Sequence, residues 1–156
     1  MSMIKRLLIV SNTPSSNTLN LAAAVLTGAT NPAMDAIHVQ HLEPLLATAD
    51  DVLVAKAIII GTTENFGYMS GALKDFFERI YYPCLEHTQG LPWALFVRAG
   101  NDGQGALTSV QHIVTGLRWR EVNTPLIMTG AWQPQFSNDC NKLGLFMAAG
   151  LDAGVF

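Results

Sequence analysis

Short runs of apolar residues alternate along this chain with longer segments whose apolar positions recur every three or four residues. Runs of this kind read as strands buried on both faces, and the longer segments as helices with one buried stripe. Arg6–Val10, Val54–Ile60 and Trp93–Val97 are the firmest strands, with weaker ones at Asp35–Val39 and Val122–Met128. Pro125 lies inside the last and removes a ladder donor, which argues for the edge of a sheet. The periodicity predicts helices over Thr18–Thr27, stopped by Gly28, and over Leu42–Asp51, with Pro44 in its first turn. It predicts three more over Ser70–Tyr82, ended by Pro83, over Gly105–Arg118 and over Asp139–Leu151. Ser70–Tyr82 carries the clearest stripe: Met69, Leu73, Phe76, Phe77 and Ile80 recur at helical spacing, while Asp75–Arg79 and Lys74–Glu78 are opposite charges at i,i+4.

Five strands alternating with helices predict an α/β fold: one sheet, mostly parallel, with helices on both faces in a three-layer α/β/α arrangement. No repeat, linker or low-complexity tract interrupts residues 1–156, and that length suits a single domain. In open α/β sheets ligands bind beyond the carboxyl ends of the strands. Three loops follow strands there: Ser11–Thr18, Thr62–Met69 and Ala99–Gly105, all rich in Gly, Ser, Thr, Asn and Asp.

Composition narrows the functional classes. Charged residues make up 13% of the chain against roughly 25% in an average domain. That shortage fits a fully buried sheet, and also an oligomer that hides apolar surface. A net charge of −3 with scattered Lys and Arg excludes a basic nucleic-acid surface. No apolar run reaches membrane-spanning length, and the run after Lys5-Arg6 is too short for a signal peptide, so a cytoplasmic location is expected. Cys84 and Cys140 are far apart and read as two reduced thiols. His38, His41, His87 and His112 lack metal-ligand spacing, so neither a metal site nor a nucleophile–base pair is expected, and no side chain is singled out as catalytic.

The first loop, Ser11-Asn-Thr-Pro-Ser-Ser-Asn-Thr18, offers hydroxyls, amides and the start of a helix. Free N–H groups and the positive end of a helix dipole suit a phosphate without Lys or Arg. An ordinary loop in which Ser16 or Asn17 caps the helix would read the same way. Neither G-x-x-x-x-G-K-[ST] nor G-x-G-x-x-G is present, which argues against an ATP or dinucleotide site.

The second loop, Gly61-Thr-Thr-Glu-Asn-Phe-Gly-Tyr-Met-Ser-Gly-Ala-Leu-Lys74, resembles the second flavin-binding segment of flavodoxin-like, NAD(P)H-dependent FMN reductases. Phe66-Gly67-Tyr68-Met69-Ser70-Gly71-Ala72-Leu73-Lys74 carries the likeness, while Thr63 stands where Pro is usual and Asn65 where Tyr is frequent. The first loop is similar to the phosphate loop of the same families, with Thr13 in place of an Arg that many of them carry. The resemblance implies the flavodoxin-like strand order 2-1-3-4-5, with the three loops meeting at the switch point beside the first and third strands. It implies FMN bound through Ser11, Thr13, Ser16, Asn17 and Thr18 at the phosphate, and through Thr62, Thr63, Glu64, Asn65, Phe66 and Gly67 at the isoalloxazine. The Gly-rich third loop, with Ala99, Gly100, Asn101 and Gly103, completes the set. It further implies NADH or NADPH as electron donor, a small-molecule acceptor such as a quinone or flavin, and a homodimer. Two rivals stand beside the reductase: a flavodoxin-type one-electron carrier, and a scaffold or sensor of this fold that has lost FMN.

Overall fold

The computed structural model describes residues 3–156. Its centre is a parallel sheet built from β1 (Lys5–Ser11), β2 (Ile37–Leu42), β3 (Ala55–Thr63) and β4 (Pro92–Ala99), with two short strands, β5 (Arg120–Glu121) and β6 (Leu126–Thr129), on one edge. The strand order is β2-β1-β3-β4-β5, with β6 also paired to β4, which is the expected flavodoxin-like order. Pro92 and Trp93 pair with Arg120 and Glu121, and Phe96–Ala99 pair with Leu126–Thr129. Of the strand expected over Val122–Met128, only the stretch from Leu126 is realised, as β6, and β5 lies before its expected start. Pro125 has no N–H to give a ladder, and the chain leaves β4 between Val122 and Pro125 before rejoining it. Its expected place at the sheet edge holds.

Alternate residues along each strand face opposite layers, and both layers are apolar. Leu7, Ile9, Ala57, Ile59 and Phe96 pack toward α1 (Ser16–Ala29) and α5 (Gln135–Asp152). Leu8, Val10, Ile58, Ile60, Leu95 and Val97 pack toward α2 (Ala49–Val54), α3 (Gly71–Leu85) and α4 (Gln104–Gly116). Two buried faces explain why these strands appear in the sequence as unbroken apolar runs rather than as an alternation. Phe76 and Phe77 of α3 stack against each other at 5.3 Å in the second layer. Truncating either to Ala would cost about 3–5 kcal/mol.

Several boundaries differ from the sequence expectation for local reasons. Gly28 does not stop α1, which runs on to Ala29. A side chain at Gly28 would overlap the backbone carbonyl of Asn141, so this glycine permits α5 to approach. The helix expected over Leu42–Asp51 starts only at Ala49, because Thr48 and Asp51 form a capping box there and β2 extends to Leu42. Leu45 and Leu46, which simulated a helical stripe, are 63% and 70% exposed on the intervening turn. Pro83 lies inside the last turn of α3 rather than ending it; Pro83 is exposed, so the carbonyl it leaves unbonded is on the wet side of the helix. α5 begins at Gln135, before the expected Asp139, directly after Pro134.

Candidate functional site

The ends of β1, β3 and β4 deliver the three loops to one end of the sheet, and three side-chain bridges join the first to its neighbours. Asn12 spans to the second loop: its amide donates to the Thr63 hydroxyl at 3.1 Å, and its Oδ1 accepts the Thr63 N–H at 3.3 Å. Thr13 donates its hydroxyl proton to Oε1 of Glu43, which lies just past β2. Ser11 is 1% exposed, with its hydroxyl 2.8 Å from Nε2 of His41. Ser11 therefore anchors the loop to β2 with its hydroxyl.

The helix cap is Ser15, not Ser16 or Asn17. Ser15 Oγ accepts the Thr18 N–H at 3.2 Å, and Thr18 Oγ1 accepts the Ser15 N–H at 2.9 Å. The same Thr18 hydroxyl donates back to the Ser15 carbonyl at 3.0 Å, so it belongs to the cap. Ser16 and Asn17 occupy the first two helical positions, where an N–H has no carbonyl one turn earlier to accept it. Both residues are exposed. Two N–H groups without helical partners, at a helix start whose residues are exposed, fit a phosphate group. No Lys or Arg lies in this loop.

The second loop is a tight hairpin. Asn65 and Tyr68 exchange backbone hydrogen bonds of 2.8 and 3.0 Å. Phe66 and Gly67 take left-handed conformations, with φ of 54° and 71°. Two successive positive φ values are the mark of a type I′ turn, which Gly adopts freely and Phe only at a cost of order 1 kcal/mol. The Phe66 ring stands at the tip, 108% exposed. Inward of the turn, the Thr62 hydroxyl accepts the Ser70 N–H at 3.0 Å and donates to the Thr63 carbonyl at 2.8 Å. Ser70 caps α3, accepting the Leu73 N–H at 3.2 Å.

Glu64 turns toward α4. Its Oε2 accepts the Ala106 N–H at 3.1 Å, which caps a helix whose own N-cap, Gly103, has no side chain to offer. The carboxylate thereby meets the positive end of the α4 dipole. Ser109 accepts the Met69 N–H at 3.1 Å, and a side chain at Gly105 would overlap the Gly67 carbonyl. Hairpin and helix are thus fastened at three points.

The third loop is shaped by Gly103, whose φ of 73° and contact with Ile127 leave no room for a side chain. Gly100 and Asn101 are exposed and Ala99 is buried. Arg98 ties this corner together, donating to the carbonyls of Ala99, Met128 and Gly130 at 2.8, 3.2 and 2.6 Å. Its guanidinium lies 4.9 Å from the centre of the Phe136 ring, so its charge is spent on β4, β6 and α5.

Every residue named from the sequence thus falls in one of three loops at the same end of the sheet. Sequence reading missed Asn12, His41, Glu43, Arg98 and Ser109 as partners of the site. The first lay within a named loop, but the other four join it only through tertiary pairing. A hollow of about 840 Å³ lies elsewhere: it runs between α3 and α4, past Lys74, Tyr81, Tyr82 and Ile113. A second hollow of about 550 Å³, lined by Gly67, Tyr68, Gln104 and Gly105, links that groove to the hairpin through Thr108 and His112. Among the described residues no helix is long and apolar enough to cross a membrane.

The molecule has clear relatives. A flavodoxin from Aquifex aeolicus (strain VF5) is 27% identical over 112 residues, which are 72% of this chain and 60% of that protein. The chain therefore spans about 60% of the length of that curated relative. Among solved structures, an archaeal flavodoxin superposes with a TM-score of 0.79 at 19% identity, covering 94% of this chain and 98% of its own. An NADH:FMN oxidoreductase in its apo form superposes with a TM-score of 0.68 at 15% identity, covering 94% and 89%. These two likenesses establish the flavodoxin-like fold. Residues 5–133, from β1 past β6, match the NADPH-dependent FMN reductase family, and the chain belongs to that family.

Proposed function

We propose that this chain binds FMN non-covalently at the ends of β1, β3 and β4 and acts as an NAD(P)H-dependent oxidoreductase. The observation that carries the reading is the pair of open N–H groups at Ser16 and Asn17, beside two further polar loops, in a chain of an FMN reductase family. FMN, when bound, supplies the chemistry of accepting a hydride and releasing electrons. The chain's residues bind and orient it. Ser11, Thr13, Ser16, Asn17 and Thr18 form the phosphate loop, with the N–H groups of Ser16 and Asn17 as the donors. Thr62, Thr63, Glu64, Asn65, Phe66 and Gly67 border the ring from one side, and Ala99, Gly100, Asn101 and Gly103 from the other. No side chain is required as acid or base. NADH or NADPH is the donor, and the acceptor is a small molecule such as a quinone or free flavin, in the cytoplasm.

Titration of the purified protein with FMN and riboflavin tests the binding step, with tighter FMN binding expected. Rapid mixing of the FMN-loaded protein with NADH and with NADPH tests the reaction: bleaching of the flavin absorbance, followed by recovery when a quinone is added, is the expected result. The match to the Aquifex flavodoxin favours a second reading, a one-electron carrier. Failure of either nicotinamide to bleach the flavin, with a semiquinone stable to titration with dithionite, would select the carrier.

A homodimer is part of the reading, through the groove between α3 and α4. Trp119 and Phe136 are buried in the core, while Tyr82 is largely exposed, at 80%. Cys84, in the last turn of α3, is buried as well. The groove supplies what those residues do not: Tyr82, half-buried Tyr81 and Ile113, and the paired charges Lys74 and Glu78, 3.8 Å apart, for self-complementary contact. Sedimentation at micromolar concentration tests it. A 17 kDa species with FMN bound would exclude the dimer.

A further inference from the structure

We propose that Glu43 sets the affinity of the first loop for phosphate, and that it makes FMN a readily exchanged ligand of this chain rather than a permanently held one. The inference rests on the reading that FMN binds at this loop. Thr13 is a natural donor to a phosphate, but a hydroxyl carries one proton. That proton is donated to Glu43 Oε1. With Glu43 ionised, Thr13 presents only lone pairs to an incoming anion, and it does so next to a carboxylate. Thr13 lies three residues before Ser16, so their Cα atoms are at most about 11 Å apart. Glu43 Oε1 touches the Thr13 hydroxyl within this short loop, so its charge stands beside the segment that would receive the phosphate.

The surroundings do not cancel this charge. Arg79 on α3 reaches the segment after Glu43, donating to the carbonyls of Pro44 and Ala47 at 2.7 Å each. Its charge is already matched by Asp75, 2.6 Å away on the same helix. His41 on β2 faces Ser11, and no Lys or Arg lies in the first loop. Arg79 also clamps the backbone of the turn that follows Glu43. Ser16 and Asn17 attract a phosphate, Glu43 opposes it, and the balance favours release.

The test compares FMN and riboflavin, which differ by the phosphate, on the wild-type chain, on Glu43→Gln, on Thr13→Val and on the double variant. Thermal melts confirm that each is folded. Glu43→Gln keeps the size of the side chain, removes its charge and weakens its hold on the Thr13 proton, since a neutral amide oxygen is the poorer acceptor. FMN binding should tighten about tenfold and riboflavin by less than twofold. High salt should narrow the difference between wild type and variant. Thr13→Val should cost FMN binding less in the wild-type chain than in the Glu43→Gln background, where it should remove much of the gain, the coupling expected of two groups that share one proton. FMN binding unchanged or weakened in a folded Glu43→Gln protein would overturn the proposal, as would equal losses from Thr13→Val in both backgrounds. If all four proteins bind FMN and riboflavin alike, the phosphate does not sit in this loop. If none binds either flavin, the FMN reading itself fails, and this inference with it.

Discussion

The two faces of the sheet are closed in different ways. On one, α1 and α5 meet backbone to backbone: Gly28 lies against the carbonyl of Asn141, and Gly144 against that of Val25. On the other, α3 and α4 stand apart and leave an open groove of about 840 Å³ that leads toward the hairpin of the candidate site. Glycine lets two helices approach until main-chain atoms touch, and such a contact cannot yield without moving a whole helix. The face with α3 and α4 is bounded by side chains, which can rearrange. The difference teaches that the sealed face fixes the frame while the grooved face remains available to a partner. It also explains why the hairpin is fastened to α4, by Glu64, Gly105 and Ser109: the hairpin projects from the less tightly closed side.

Substitutions can break this contrast. The largest effect is expected at Gly144→Leu, where the new side chain would collide with the Val25 backbone; a loss of about 3 kcal/mol or more is predicted from urea melts. A variant as stable as wild type would show that the sealed contact is not needed.

The buried thiols sharpen the comparison, one on each face. Burial, reinforced by Asp50, raises Cys84 from the ordinary 9.0 to about 11. Burial, with a contribution from Asp139, raises Cys140 to about 12. A raised thiol pKa keeps the proton on in the folded chain after the unfolded chain has released it. These thiols therefore lend stability that is fully present below about pH 9 and is lost as the pH climbs through 11 and then 12. Denaturation midpoints measured across that range should fall with pH, and less so when both Cys are replaced by Ala. At pH 8 both native thiols should resist alkylation, with Cys140 on the sealed face the slower to react.

Glu64→Ala should cost about 1 kcal/mol, the worth of a helix cap, because the Ala106 N–H then loses its acceptor and only Asp102, bonded to the Gln104 N–H, remains at the start of α4. Its hairpin should become more open to proteolysis, while α1 and α5 are unaffected. An unchanged melting curve would mean that the bond to Ala106 is not made in solution. The smallest effect is expected at Gly116→Ala on the grooved face. There the new methyl group meets the Tyr81 hydroxyl, the far end of a movable side chain, so stability should change by about 0.5 kcal/mol or less. A loss as large as that of Gly144→Leu would abolish the distinction between the faces.

Hydrophobic order alone was enough to determine the alternation of strands and helices, the parallel sheet and the site's end of the molecule. Leu7–Val10, Ala57–Ile60 and Ala94–Val97 are apolar on both faces, and that condition is met in few architectures. Resemblance in Phe66–Lys74 then pointed to the family and to three loops. Tertiary structure decided what those loops contact. Gly28 looked like a helix stop because its packing partner, Asn141, is 113 residues further along the chain. Pro83 looked like a terminator because sequence does not show that the last turn of α3 faces water. That Glu64 would bond the start of α4 was not visible in the sequence, and Glu43 and His41 had no visible role before β2 was laid beside β1. Local pattern specifies elements because backbone preference and burial period act over neighbouring residues. Hydrogen bonds between loops depend on which strands become neighbours, and only the folded sheet settles that.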